Sequence, residues 1–131
     1  MKFSDGVALQ AAVVSVVGRV DAATCALLEG HCKRQMTEHQ RQSLVLDLTE
    51  VEYLSSAGLR AVLSLGKHAL AAGGKLVLCG VKGPVREILS IAGFLNLFPV
   101  TDTVVHALAL IKDANQPPRG GTAAAATPPP A

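Results

Sequence analysis

The apolar runs of this 131-residue chain predict an α/β domain, with a four- to five-stranded, mixed but mostly parallel sheet and about four helices. Two short, nearly continuous apolar runs, Ser43–Leu48 (SLVLDL) and Lys75–Cys79 (KLVLC), have the pattern of strands covered on both faces. Between and after them the apolar period changes to that of a helix. Glycines mark the changes, at Gly18, Gly73-Gly74, Gly80–Gly83 and Gly93. Alternating β and α units imply parallel strands joined by crossover helices.

In chain order, Val7–Val17 is rich in Val and Ala and reads as strand, part of an N-terminal hairpin that Gly18 ends. From Asp21 to Thr37 the residues Cys25, Leu28, Cys32 and Met36 form one helical stripe, and Asp21 is placed to cap it. Thr49–Leu54 reads as an exposed turn. A helix follows from Ser56 to Ala72, with Leu59, Val62, Leu63, Gly66 and Leu70 as its stripe and Gly73-Gly74 as its stop. Pro84 suits the first position of the next helix, lined by Val85, Ile88, Leu89 and Ala92 and stopped by Gly93. Leu97–Val100 reads as an edge strand. Thr101 or Asp102 then caps a last helix, packed through Val105, Leu108 and Ile111. Residues 1–114 form one domain in this reading. Residues 115–131, with five of the seven prolines and an alanine run, form a disordered tail.

Composition excludes several functions. Half the residues are apolar but only Phe3, Tyr53, Phe94 and Phe98 are aromatic, so the core is aliphatic and platforms for stacking bases are missing. A net charge of +2 with scattered Lys and Arg gives no reason to expect nucleic acid. Cys25, Cys32 and Cys79 have neither framework nor metal spacing, and read as small apolar residues of a reducing compartment. Lys2 followed by an apolar stretch faintly suggests a secretory leader, but Asp5 and Gln10 interrupt it. No apolar run reaches the roughly 18 residues of a membrane span, and a cytoplasmic location is expected. Phosphate-binding, nucleophile-elbow and zinc-protease motifs are all absent, and His31, His39, His68 and His106 lack ligand spacing. No catalytic residue, metal ligand or cofactor is expected, and the chain is not read as an enzyme.

The unusual segment is Tyr53–Leu59 (YLSSAGL), which places two hydroxyls where a strand ends and an amphipathic helix begins. Ser55 or Ser56 can serve there as a helix cap and nothing more. Alternatively an exposed hydroxyl there can carry a phosphate, which would meet free N–H donors and the positive helix end.

At these residues the sequence resembles the STAS-domain family, specifically its single-domain anti-sigma factor antagonists. The landmarks are GRVDAAT (18–24), LVLDLTEVEYLSSAGLR (44–60), GGKLVLCGV (73–81) and VREILSIAGF (85–94), covering roughly residues 5–112. The resemblance implies partner switching. The unmodified protein binds an anti-sigma factor that is also a GHKL-type serine kinase, phosphorylation releases it, and a serine phosphatase resets it. Matched through Gly58-Leu59, the acceptor is Ser56, with Asp21, Ser55 and Gly58 around it. Ser55 stands where many members carry Asp, which makes it the rival acceptor. Thr49, Glu50, Tyr53, Arg60, Ser64 and Lys67 are the expected partner contacts, on a protein expected to be monomeric alone and not membrane-inserted. The alternative reading is an unphosphorylated STAS subunit of a lipid or solute transporter.

Overall fold

The computed structural model describes residues 1–8 and 11–115, with side chains through residue 112. The expected tail, residues 115–131, therefore lies outside the described residues except for Asn115, which is the last residue of the final helix. The elements are β1 (Lys2–Val7), β2 (Ala11–Val20), α1 (Cys25–Glu38), β3 (Ser43–Leu54), α2 (Ser56–Ala71), β4 (Leu76–Cys79), α3 (Gly83–Ile91), α4 (Phe94–Leu97), β5 (Val100–Thr101) and α5 (Val104–Asn115). The sheet has five strands in the order β1-β2-β3-β4-β5. β1 is antiparallel to β2 and every other pairing is parallel, as the crossover helices require.

Strand alternation divides the core between two faces. Val14, Val16, Leu44, Leu46 and Leu78 pack on one face against Leu28, Cys32 and Met36 of α1, Val62, Leu65 and Ala69 of α2, and Val85 and Leu89 of α3. On the other face Ala11, Val45, Val77 and Cys79 meet Ala107 and Ile111 of α5. Burial decides how α1 is held. Fully burying a side chain such as Leu28 or Met36 contributes about 1.5–3 kcal/mol, against about 0.3–0.5 kcal/mol for the surface Lys33–Glu29 pair on the same helix.

Several boundaries differ from expectation. Gly18 does not end β2, which continues through it at φ 116° to Val20. β3 is also longer than expected, because Thr49–Leu54 is strand and not turn. Its pairing with β2 slips between Ser15 and Val17 and again between Gly18 and Arg19; in each place β3 carries an extra residue (Ser15 pairs Asp47 and Val17 pairs Glu50; Gly18 pairs Val51 and Arg19 pairs Tyr53). Each extra residue resets which face the side chains meet. Leu48, Val51 and Leu54 are consequently buried at intervals of three, a spacing that does not read as strand in the sequence.

α1 begins at Cys25, four residues after the predicted start, because Asp21 closes a separate turn first. Its carboxylate accepts the Ala23 N–H at 3.0 Å, while Thr24 Oγ1 accepts the Asp21 N–H at 3.0 Å and donates to the Arg19 carbonyl at 3.0 Å. Asp21 thus caps a turn rather than the helix. In α2 the buried stripe is Gly58, Ala61, Val62, Leu65, Gly66 and Ala69, rotated from the predicted one, and Leu70 is 74% exposed. Small residues let α2 sit close: a Cβ on Gly66 would overlap the Phe98 ring. The predicted strand at Leu97–Val100 is instead the helical turn α4 followed by the two-residue β5, since Phe94 is drawn into the core just after Gly93. Thr103, not Thr101 or Asp102, caps α5, its Oγ1 accepting the His106 N–H at 3.2 Å. α5 packs through Ala107 and Ile111, and Val105 points outward.

Candidate functional site at the start of the second helix

The two bulges bring the end of β3 level with the end of β2, where α2 begins. The Ser55 N–H donates to the Val20 carbonyl at 2.9 Å, joining the two chain segments. Gly58 lies against the same carbonyl; a Cβ there would come within 2.7 Å of that oxygen and 3.0 Å of Val20 Cγ1. Glycine is required at residue 58 by this close approach rather than by its backbone angles.

The two serines have different surroundings. Ser55 has extended backbone (φ −86°, ψ 178°), is half-buried, and its Oγ accepts the Gly58 N–H at 3.2 Å. It is the N-cap. Ser56 is the first residue of α2, exposed, and its hydroxyl has no hydrogen-bond partner among the described residues. The N–H groups of Ser56 and Ala57 precede the first intrahelical bond and also lack a partner there, leaving two donors and the positive helix end beside the Ser56 hydroxyl. The first turn of α2 contains no acidic side chain to compete for them.

The predicted contact residues fall into three groups. Arg60 and Lys67 are exposed and continue the stripe of Ser56 along α2. Ser64 is half-buried and faces α1, donating to Glu29 Oε2 at 2.6 Å, so it is an interhelical link rather than part of the open face. That bond, together with the Lys33 ammonium 2.9 Å away, lowers the Glu29 pKa below the usual carboxylate value. Thr49, Glu50 and Tyr53 belong to β3, not to a turn. The Thr49 hydroxyl donates to Asp47, whose carboxylate also accepts the Thr49 N–H at 3.0 Å and the Ser15 hydroxyl at 3.1 Å. The Arg19 guanidinium lies 4.6 Å from the centre of the Tyr53 ring. Since the adjacent Val20 and Leu54 are buried under the α1–α3 layer, alternation places Arg19 and Tyr53 on the opposite side of the sheet.

Sequence reasoning missed Glu29, Thr24 and Arg19. Glu29 had a partial signal, a Lys four residues on; its pairing with Ser64 had none. No group of acidic, His or Cys residues among those described is arranged to hold a metal ion.

The STAS domain profile matches residues 1–107. The chain belongs to the STAS-domain family. This STAS domain is 40% identical over 102 residues to BtrV of Bordetella bronchiseptica, a candidate anti-sigma factor antagonist, covering 78% of this chain and 87% of that protein. It is 27% identical over 96 residues to an anti-sigma F factor antagonist of Paenibacillus polymyxa, covering 73% of this chain and 82% of that protein. Its fold superposes on the anti-sigma factor antagonist SpoIIAA in its unphosphorylated form, with a TM-score of 0.73 at 16% identity over 86% of this chain and 97% of that one. The phosphorylated form of the Bacillus SpoIIAA superposes with a TM-score of 0.66 at 15% identity over 84% and 99%. No helix among the described residues is long and apolar enough to cross a membrane.

Proposed function

We propose that this STAS domain is an anti-sigma factor antagonist acting by partner switching. Unmodified, it binds an anti-sigma factor that is a GHKL-type serine kinase. The kinase uses ATP to phosphorylate Ser56, the complex dissociates, and a serine phosphatase restores the starting state. The domain itself performs no catalysis in this cycle and works in the cytoplasm.

The observation that carries this reading is the division of labour between the two serines. Ser55 performs the capping, and the Ser56 hydroxyl, at an exposed helix start, has no partner among the described residues. A phosphate there adds a charge of about −1.5 to −2. It would change the partner surface without requiring the domain to unfold. The relatives' names as anti-sigma factor antagonists support the partner class. Arg60 and Lys67 extend the contact face along α2, and Thr49, Glu50 and Tyr53 of β3 are a separate part of the proposed contact surface, with Tyr53 on the other side of the sheet.

The test is a pull-down with the cognate kinase in the presence of ATP. Ser56→Ala should remain bound and Ser56→Asp should bind poorly; equal binding of the two would remove Ser56 from the mechanism. Mass spectrometry of the product should find one phosphate, on Ser56. A protein that stays unmodified would favour a transporter-bound STAS subunit.

A further inference from the structure

We infer that Arg60 changes its role when Ser56 is phosphorylated, pairing with the new phosphate inside α2 and leaving the surface offered to a partner. This rests on the proposed phosphorylation of Ser56. It adds a second consequence of that event: the phosphate introduces negative charge and also withdraws a cation.

Ser56 and Arg60 stand at i and i+4 on α2, both exposed. Side chains at that spacing are neighbours, about 5–6 Å apart at Cβ, and the acid-first order is the favourable one in the helix dipole. Arg60 has no ion pair or side-chain hydrogen bond among the described residues, so no existing interaction must break. Three other cations are committed elsewhere or lie further along the helix. Arg19 is held over Tyr53 on the opposite side of the sheet, and Lys33 is bonded to Glu29. Lys67 is eleven residues from Ser56, about 16 Å along the axis at 1.5 Å per residue. A guanidinium also offers a planar pair of donors that matches phosphate oxygens, which an ammonium does not.

In the unmodified protein, Arg60 is a cation one turn from Ser56 with no pair among the described residues, suited to a carboxylate of the partner. After modification the same donors face the phosphate. Ser55 cannot take this role, because its hydroxyl is turned toward Gly58 and lies outside the helical stripe.

The test uses phosphoserine installed at residue 56 during translation, so it does not depend on any kinase. A 31P NMR titration reads the second ionisation of the phosphate, ordinarily near pKa ~6. Asp21, Glu52, Glu29 and Lys67 remain the same in every variant, so differences isolate residue 60. Arg60→Gln should raise that pKa by roughly 0.3 units, the equivalent of one i,i+4 pair, and Arg60→Lys should recover part of the shift. The Arg60 Nε–H resonance should also move on phosphorylation. An unchanged pKa in Arg60→Gln, or an Nε–H signal indifferent to the phosphate, would overturn the pairing. A kinase that fails to modify Ser56 would instead sink the proposed function and leave this titration interpretable.

Discussion

Replacing Ser55 with alanine separates capping from signalling. Ser55 Oγ accepts one N–H bond, at 3.2 Å, from Gly58, and it is the cap of a 16-residue helix that crosses the centre of the larger core. Loss of a Ser cap costs about 0.5–2 kcal/mol, and a single rather long bond argues for the middle of that range, about 1 kcal/mol. For a domain of about 110 residues this is a fall in Tm of about 4 °C. Ser56→Ala removes a hydroxyl that has no partner among the described residues, and its Tm should remain within about 1 °C of the parent. Ser55→Asp should restore the loss, because aspartate caps as well as serine and its charge favours the helix start. The assay is thermal unfolding by circular dichroism, followed by kinase treatment and mass spectrometry of each variant. Ser55→Ala should lose stability and keep its phosphate; Ser56→Ala should keep stability and lose its phosphate. The opposite pattern, an unchanged Tm with no phosphate in Ser55→Ala, would show that the roles of the two hydroxyls had been exchanged.

Three further outcomes follow from the packing. Gly58→Ala pushes a methyl to 2.7 Å from the Val20 carbonyl; it should cost about 1–3 kcal/mol in a urea melt and shift the amide resonances of Val20 and Ser55. Cys32 and Cys79 have thiol pKa values pushed up to about 12, mainly by burial and secondarily by the Asp5 and Asp47 charges. Their neutral form is the one the fold prefers, so the stability they contribute is complete below the unfolded thiol pKa and is lost as pH rises from about 9 toward 12. At pH ~8 a thiol reagent should titrate Cys25 in the native protein and reach the other two only after denaturation. Ser64→Ala removes the largest cause of the lowered Glu29 pKa, so NMR titration of that carboxyl should move up toward 4.5. The Glu29 contribution to stability is present above about 4.5 and declines as pH falls through its lowered folded value; Ser64→Ala should weaken that acid-side dependence.

The sequence by itself determined the α/β order, the parallel central strands, the α2 start and the glycine stops of α2 and α3, though not the one expected at Gly18, because these depend on local period and backbone freedom. It also marked Ser55-Ser56 as the unusual feature, with either hydroxyl able to cap. Tertiary structure decided which one does: the N–H of Ser55 is tied to the carbonyl of Val20, a residue 35 positions away, at the extended position just before the helix, where its hydroxyl accepts the Gly58 N–H. The extension of β3 through Thr49–Leu54 was equally hidden, since two bulges replace the two-residue alternation with intervals of three. Ser64 looked like a surface contact until α1 packed beside it and supplied Glu29. Local patterns specify elements and their ends; which polar group faces a partner and which faces the chain is settled only when distant segments meet.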